Sequence, residues 1–384
     1  MTPLPIPSLH AQKHSQQLFE LIQQKITNTG GWISFAGFMQ MALYTPGLGY
    51  YAAGNQKFGA GGDFVTAPEI SSLFGQTLAN QLAEILQITK GNILELGAGT
   101  GKLAADVLLS LAQLDCLPGQ YYILEVSDYL RQVQLEYLTK HLPAPSMQCI
   151  EWLNELPMEF NGVVIGNEVL DAIPAHLIHT NNQQIYERGI TVTEQGLAWM
   201  DKPLTEPNLL VAAIKLSLPD GYVTELCPAA NGLISSLANM IKSGVILMID
   251  YGFVAREYYH PQRNQGTLMC HYQQLAHADP LIYVGLQDIT AHVDFTAIAE
   301  SGLDGRLQLA GFCTQAQFLM NCGILDAMSQ VSPLDMARYA PLAAAAQKLL
   351  SPAEMGDLFK VIAFTKNIEE PLLGFCVGDK SHTL

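Results

Sequence analysis

The order of apolar and polar positions divides the chain into stretches of different kinds. Near the amino terminus Leu18, Leu21, Ile22 and Ile26 recur at helical spacing, and Gly30-Gly31 ends the pattern. A second helix is expected between Ser34 and Thr45-Pro46-Gly47. A glycine-dense loop then runs to Phe64, and a long amphipathic helix leads from Thr66-Ala67-Pro68-Glu69 to about Gln87. Beyond it, short apolar runs alternate with helical stretches. The expected strands are Asn92–Leu96, Tyr121–Glu125, Met147–Glu151, Gly162–Ile165 and Gly244–Ile249. Helices are expected over Lys102–Leu114, Asp128–Thr139 and Ala229–Ile241. This alternation predicts an α/β fold, a doubly wound parallel sheet with helices on both faces.

Two segments break the alternation. Residues 175–226 hold hairpin-like runs, Ala175–Thr180 and Gln184–Ile190, with an Asn-Asn turn signal between them. Residues 254–310 are polar and rich in His, Tyr and Asp, and Thr314 to Ala363 reads as helical. The expected organisation is a helical cap with the glycine loop (1–88), the first part of the core (89–174) and a substrate-side insertion (175–226). The core then continues (227–253), followed by a second insertion (254–310) and a helical region completing the core (311–384).

Composition narrows the function. At 384 residues the chain exceeds the roughly 250–300 at which single cores stop growing. An apolar share of 49% with only 14% charged residues excludes disorder. With 19 basic and 35 acidic side chains the net charge is −16, so nucleic acid and anionic membrane surfaces are poor partners. No run approaches the ~20 apolar residues of a membrane span. The first residues lack the pattern of a signal or transit peptide. Seven scattered cysteines without C-x-x-C spacing fit reduced thiols in a cytoplasmic protein. His271, His277 and His292 do not have metal-ligand spacing, so no metal is expected.

The stretch Ile93-Leu94-Glu95-Leu96-Gly97-Ala98-Gly99-Thr100-Gly101-Lys102 carries the chemistry. A strand ending in close glycines before a helix brings bare backbone against a ligand. A dinucleotide fingerprint would need glycine where Lys102 stands. The order E-x-G-x-G-x-G instead suits a ligand with an amino-acid ammonium group. The next strand ends at Glu125, where a carboxylate can accept hydrogen bonds from two ribose hydroxyls. A tight turn without ligand, with Glu125 merely capping, is the plainer alternative. At the fourth strand's end, Asn167, Glu168 and Asp171 either face the reacting groups or form a helix cap with acids in its first turn. Thr66 and Glu69 have capping-box spacing. Asp63 has no such local task and is a candidate for contact with cofactor or substrate. Trp152 either stacks on adenine or belongs to the core.

Together the glycine motif and Glu125 resemble the class I (Rossmann-like) S-adenosylmethionine-dependent methyltransferases. Longer matches resemble one family in particular, whose mitochondrial members assist respiratory complex I assembly by symmetrically dimethylating an arginine of a core subunit. They include GDFVTAPEIS at Gly62–Ser71, LELGAGTGKL at Leu94–Leu103, NEVLDAIP at Asn167–Pro174, ELCPAA at Glu225–Ala230, IDYG at Ile249–Gly252 and DITAHVDF at Asp288–Phe295. The resemblance implies S-adenosyl-L-methionine as cofactor, held by Glu95, Gly97, Ala98, Gly99, Thr100, Gly101, Glu125, Val126, Trp152 and Asn167. It implies catalysis by a pair of carboxylates, Glu168 and Asp171, with Asp63 as an alternative member, on an arginine of a protein such as a complex I subunit. Without a mitochondrial targeting segment, a bacterial cytoplasmic member is expected, and a homodimer is compatible with it. The rivals are a non-catalytic assembly protein retaining a cofactor pocket, a small-molecule methyltransferase and a dinucleotide oxidoreductase.

Overall fold

The computed structural model describes residues 4–53 and 66–384. The chain divides into two compact units, each assembled from three stretches.

The first to describe comprises Val65–Leu170, Gly232–Val254 and Val293–Leu384. Its sheet contains β1 (Asn92–Leu96), β2 (Tyr121–Leu124), β3 (Ile150–Leu153), β4 (Phe160–Asn167), β5 (Ile241–Phe253), β6 (Gln308–Thr314) and β7 (Phe359–Lys366). Their spatial order is β6-β7-β5-β4-β1-β2-β3. Strands β1 to β5 pair in parallel, with Leu94 opposite both Tyr122 and Val164, and Leu247 opposite Ile165. β7 runs antiparallel to both β5 and β6. The parallel strands read as nearly continuous apolar runs because both faces are covered. On one face α1 (Ser72–Thr89) packs against α2 (Lys102–Gln113), burying Leu78, Leu82, Val107 and Leu108 with Ile93 and Val163. From β1 the chain builds outward through β2 and β3, then returns to place β4 on the other side of β1. That reversal opens a crevice at the carboxyl ends of β1 and β4, where ligands bind in such sheets.

The second unit comprises Met1–Phe64, Asp171–Asn231 and Ala255–His292. It contains a five-stranded antiparallel sheet built around the hairpin His176–Asn181 and Gln184–Thr193. The turn residues Asn182 and Gln183 both have left-handed φ, as a two-residue hairpin turn demands. Helices Leu9–Asn28 and Phe35–Tyr44 bury Leu18, Ile22 and Phe38 with Leu177 and Ile190 of that sheet.

Several expectations are corrected. Met147 and Gln148, expected to open the third strand, close the helical turn Ala144–Gln148, and the strand starts at Ile150. Pro143 and Pro145 explain this, since proline favours a helix's first turn. The region from Thr314 to Ala363 is not all helical: Phe359–Lys366 is a central strand, and Gln308–Thr314 before it is another. The apolar run Phe359-Lys360-Val361-Ile362-Ala363-Phe364 is too short for periodicity to separate strand from helix. By contacts, residues 66–88 group with the sheet unit and residues 4–53 with the other unit, while residues 293–310 group with the sheet.

Candidate active site

The glycine loop leaves β1 with Gly97, Gly99 and Gly101 all at positive φ (61°, 53° and 86°), a run that L side chains disfavour. Gly97 N–H donates to Leu124 O (3.1 Å), tying the loop to β2, and Gly101 N–H donates to Ala98 O (2.8 Å). A Cβ at Gly99 would meet no atom of the described residues within 4 Å, so bare backbone there borders open space among them. At Gly101 the reason for glycine is packing: a Cβ would lie 3.3 Å from Gln134 Cα and from Leu138 Cγ of α3 (Asp128–His141).

Glu95 lies behind the loop, 2% exposed, and accepts a hydrogen bond from Tyr121 OH (2.7 Å). Burial pushes its carboxyl up to about 7, the Tyr121 bond opposes the rise, and the charge of Glu125 adds to it. Glu125, 5% exposed, accepts from Ser127 N–H at Oε1 (2.9 Å) and from Gln134 Nε2 at Oε2 (3.0 Å). Its pKa is raised by burial, against the lowering effect of the Ser127 and Gln134 bonds. An ionised carboxylate offers about four lone-pair sites, so two such bonds leave it able to accept more. Beside it Val126 is 77% exposed, an apolar side chain open to cover by a ligand. The Trp152 ring packs on the core and its Nε1–H donates to Gln134 Oε1 (2.9 Å).

At the neighbouring corner β4 ends in Asn167. No helix follows, so the capping reading of Asn167 with Glu168 and Asp171 falls away. Instead the chain reverses at Glu168, whose φ is +54°. That conformation is uncommon for a non-glycine residue and costs about 1–2 kcal/mol. Its surroundings hold it: Glu168 N–H donates to Ile249 O (2.9 Å), while Val169 and Leu170 N–H donate to Asp250 Oδ2 (3.1 and 2.9 Å). Asp250 Oδ1 accepts from Tyr251 N–H (2.9 Å). The Glu168 carboxylate accepts from Asn167 Nδ2 (3.2 Å) and Ala67 N–H (3.4 Å). Asn167 Oδ1 is buried with no hydrogen-bond partner among the described residues.

Thr66 caps the Ala67–Ile70 turn without a side-chain bond, so the capping box does not form. Glu69 instead accepts from Thr100 Oγ1 and braces the glycine loop. Asp171 belongs to the other unit, buried, with its backbone carbonyl accepting from Ala291 N–H (3.0 Å). Its charge, after burial and Asp288, helps hold the Tyr51 hydroxyl well above its ordinary pKa. Asp63 lies outside the described residues. Sequence reasoning missed Gln134 and Asp250. The first breaks an otherwise apolar buried stripe, Leu130-Gln134-Leu138, at spacing four on α3, and the second is an acid at the end of β5.

The arrangement fits S-adenosylmethionine. The open space at Gly99, the acceptor capacity of Glu125, exposed Val126 and the partnerless Asn167 Oδ1 suit backbone approach, a ribose diol, an adenine face and an N–H donor in turn. Sheet order, glycine loop and acid at the second strand define the class I methyltransferase fold.

Comparison with known proteins agrees. Residues 77–313 match the S-adenosyl-L-methionine-dependent methyltransferase family Methyltransf_28. A crystal structure of a protein from Burkholderia thailandensis bound to S-adenosyl-homocysteine is 45% identical, with full coverage of both chains and a TM-score of 0.96. The protein arginine methyltransferase NDUFAF7 of Danio rerio is 30% identical over 90% of this chain and 86% of its own. The human protein of that name is 27% identical over 89% and 82%. The chain belongs to this methyltransferase family and is an S-adenosylmethionine-dependent enzyme. Among the described residues no group of His, Cys, Asp and Glu could hold a metal, and no helix is long and apolar enough to cross a membrane.

Proposed function

We propose that the enzyme methylates an arginine side chain of a partner protein. The observation that carries the reading is the similarity to protein arginine methyltransferases along about nine-tenths of the chain. The geometry supports it through Glu168, a carboxylate at the carboxyl edge of β4 whose backbone is fixed by β5.

When bound, S-adenosylmethionine supplies an electrophilic methyl group. The protein's task is to hold the acceptor in line, where orientation can be worth effective molarities of about 10⁵–10⁸ M. A guanidinium has a pKa above about 12 and is a poor nucleophile while its charge is evenly spread. Bidentate hydrogen bonds to the Glu168 carboxylate would draw the charge toward two nitrogens and leave the third richer in electrons. Glu168 is the carboxylate that follows directly on the end of β4.

A subunit of respiratory complex I is the acceptor class the family resemblance suggests, and a cytoplasmic setting is part of the reading, which the scattered thiols support. The test is incubation of the full chain with labelled S-adenosylmethionine and lysate from cells lacking it, followed by mapping of the label. We expect label on an arginine of one protein, with S-adenosylhomocysteine formed only when lysate is present. Label on a small molecule would favour that rival, and absence of turnover would favour the assembly-protein reading.

A further inference from the structure

Gln134 occupies a position in α3 where the pattern calls for leucine. Leu130, Gln134 and Leu138 form the buried stripe of this helix, and Gln134 is fully buried. An amide there would be costly unless its hydrogen bonds were made, and they are. Nε2 donates to Gly99 O (3.1 Å) and to Glu125 Oε2 (3.0 Å), while Oε1 accepts from Trp152 Nε1 (2.9 Å). The partners fix which way the amide points. Gly99 O and the Glu125 carboxylate only accept, and the indole N–H only donates, so a flipped amide would face like groups on every side.

Three separate strand ends therefore meet at one side chain: the glycine loop after β1, the acid after β2 and the tryptophan of β3. Gly101 permits the approach, since a side chain there would press on Gln134 Cα and Leu138. Ser127 N–H holds the other oxygen of Glu125.

We propose that Gln134, oriented by Trp152, is a positioning residue for the cofactor: it sets the Glu125 carboxylate for the ribose hydroxyls and locks it to the glycine loop. Binding strength for the adenosine part of the cofactor then depends on an amide that does not touch it. The inference rests on the cofactor assignment and is independent of the arginine reading.

The test is calorimetric titration of S-adenosylhomocysteine into the full chain as wild type, Gln134→Leu, Glu125→Gln and the double variant. Gln134→Leu should weaken binding about tenfold or more, as expected for a lost hydrogen bond to a charged group. In the Glu125→Gln background the same change should add less than about twofold, because its effect passes through Glu125. The acid limb of the binding profile should move to higher pH in Gln134→Leu, because the Gln134 bond favours the ionised carboxylate. Trp152→Phe keeps the ring and removes only the orienting N–H. It should weaken binding a few-fold with a melting temperature close to wild type, and it keeps the idea testable if Gln134→Leu does not fold. Equal losses in the two backgrounds, an unmoved acid limb, or wild-type affinity in Trp152→Phe would each overturn the proposal.

Discussion

The two corners of the sheet edge solve the same problem in opposite ways. At the β1–β2 corner a buried carboxylate, Glu125, is held by two donors and retains acceptor capacity for a ligand, while its neighbour Glu95 is buried with a pKa near neutrality. At the β4–β5 corner the buried carboxylate, Asp250, is turned inward on backbone N–H groups, and the residue it presents, Glu168, has a disfavoured φ. One corner stores its tension in protonation and the other in backbone geometry. Tension in a strained turn is relieved only by moving the chain. Tension in a protonation state can be relieved by a bound cation without any motion. The difference suggests a preformed cofactor corner and an acceptor corner whose precision depends on its support.

The largest expected effect tests the acceptor corner. Glu168→Gln should reduce turnover about 10²–10⁴-fold while S-adenosylhomocysteine affinity stays within a few-fold. If affinity collapses instead, Glu168 belongs with the cofactor and the two corners are not separate.

Next comes the protonation side of the contrast. Because the folded pKa of Glu95 lies above its ordinary value of 4.5, the folded state holds this proton more tightly than the unfolded one. Its contribution to stability is therefore full below pH 4.5, is lost as pH rises through about 7, and is level above that. The span is about 3 kcal/mol. Urea unfolding of ligand-free wild type and Glu95→Gln should show curves of stability against pH that differ by that slope. Parallel curves would mean that Glu95 is not strained by burial.

The smallest effect sharpens the geometric side. Asp250→Asn removes one acceptor from a cluster of three backbone N–H groups and should lower stability by about 1–3 kcal/mol. Turnover should fall with it, because the Glu168 turn loses its anchor. Unchanged unfolding and unchanged turnover would show that the turn holds itself.

Much of the cofactor corner was legible in the sequence because its parts are local. The spacing of Glu95, Gly97, Gly99 and Gly101 is set by a single strand–helix turn, and Glu125 ends the next apolar run. What escaped was long-range. Gln134 looked like an ordinary helix residue because its partners come from three different strands. Thr66 and Glu69 had the spacing of a capping box, yet Glu69 found a stronger partner in Thr100, thirty-one residues away. At Glu168 an Asn followed by acids looks the same in a helix start and in a turn facing the site, and only Asp250 decides between them. Nothing local in the sequence pairs Trp152 with Gln134, eighteen residues away.

The place of β7 has a consequence for how the enzyme is made. Although Phe359–Lys366 is the last strand along the chain, it lies inside the sheet, between β5 and β6. On the ribosome β6 therefore waits without its neighbour until more than forty further residues have been added, and the β5 edge that β7 will cover waits through more than a hundred. Domains that fold during synthesis usually do so from the amino terminus onward. Here those edges close only once β7 has been made, and until then they are open to mispairing with other nascent chains. Cellular yield of this enzyme should therefore depend more on chaperone supply and elongation rate than on the stability of the finished fold.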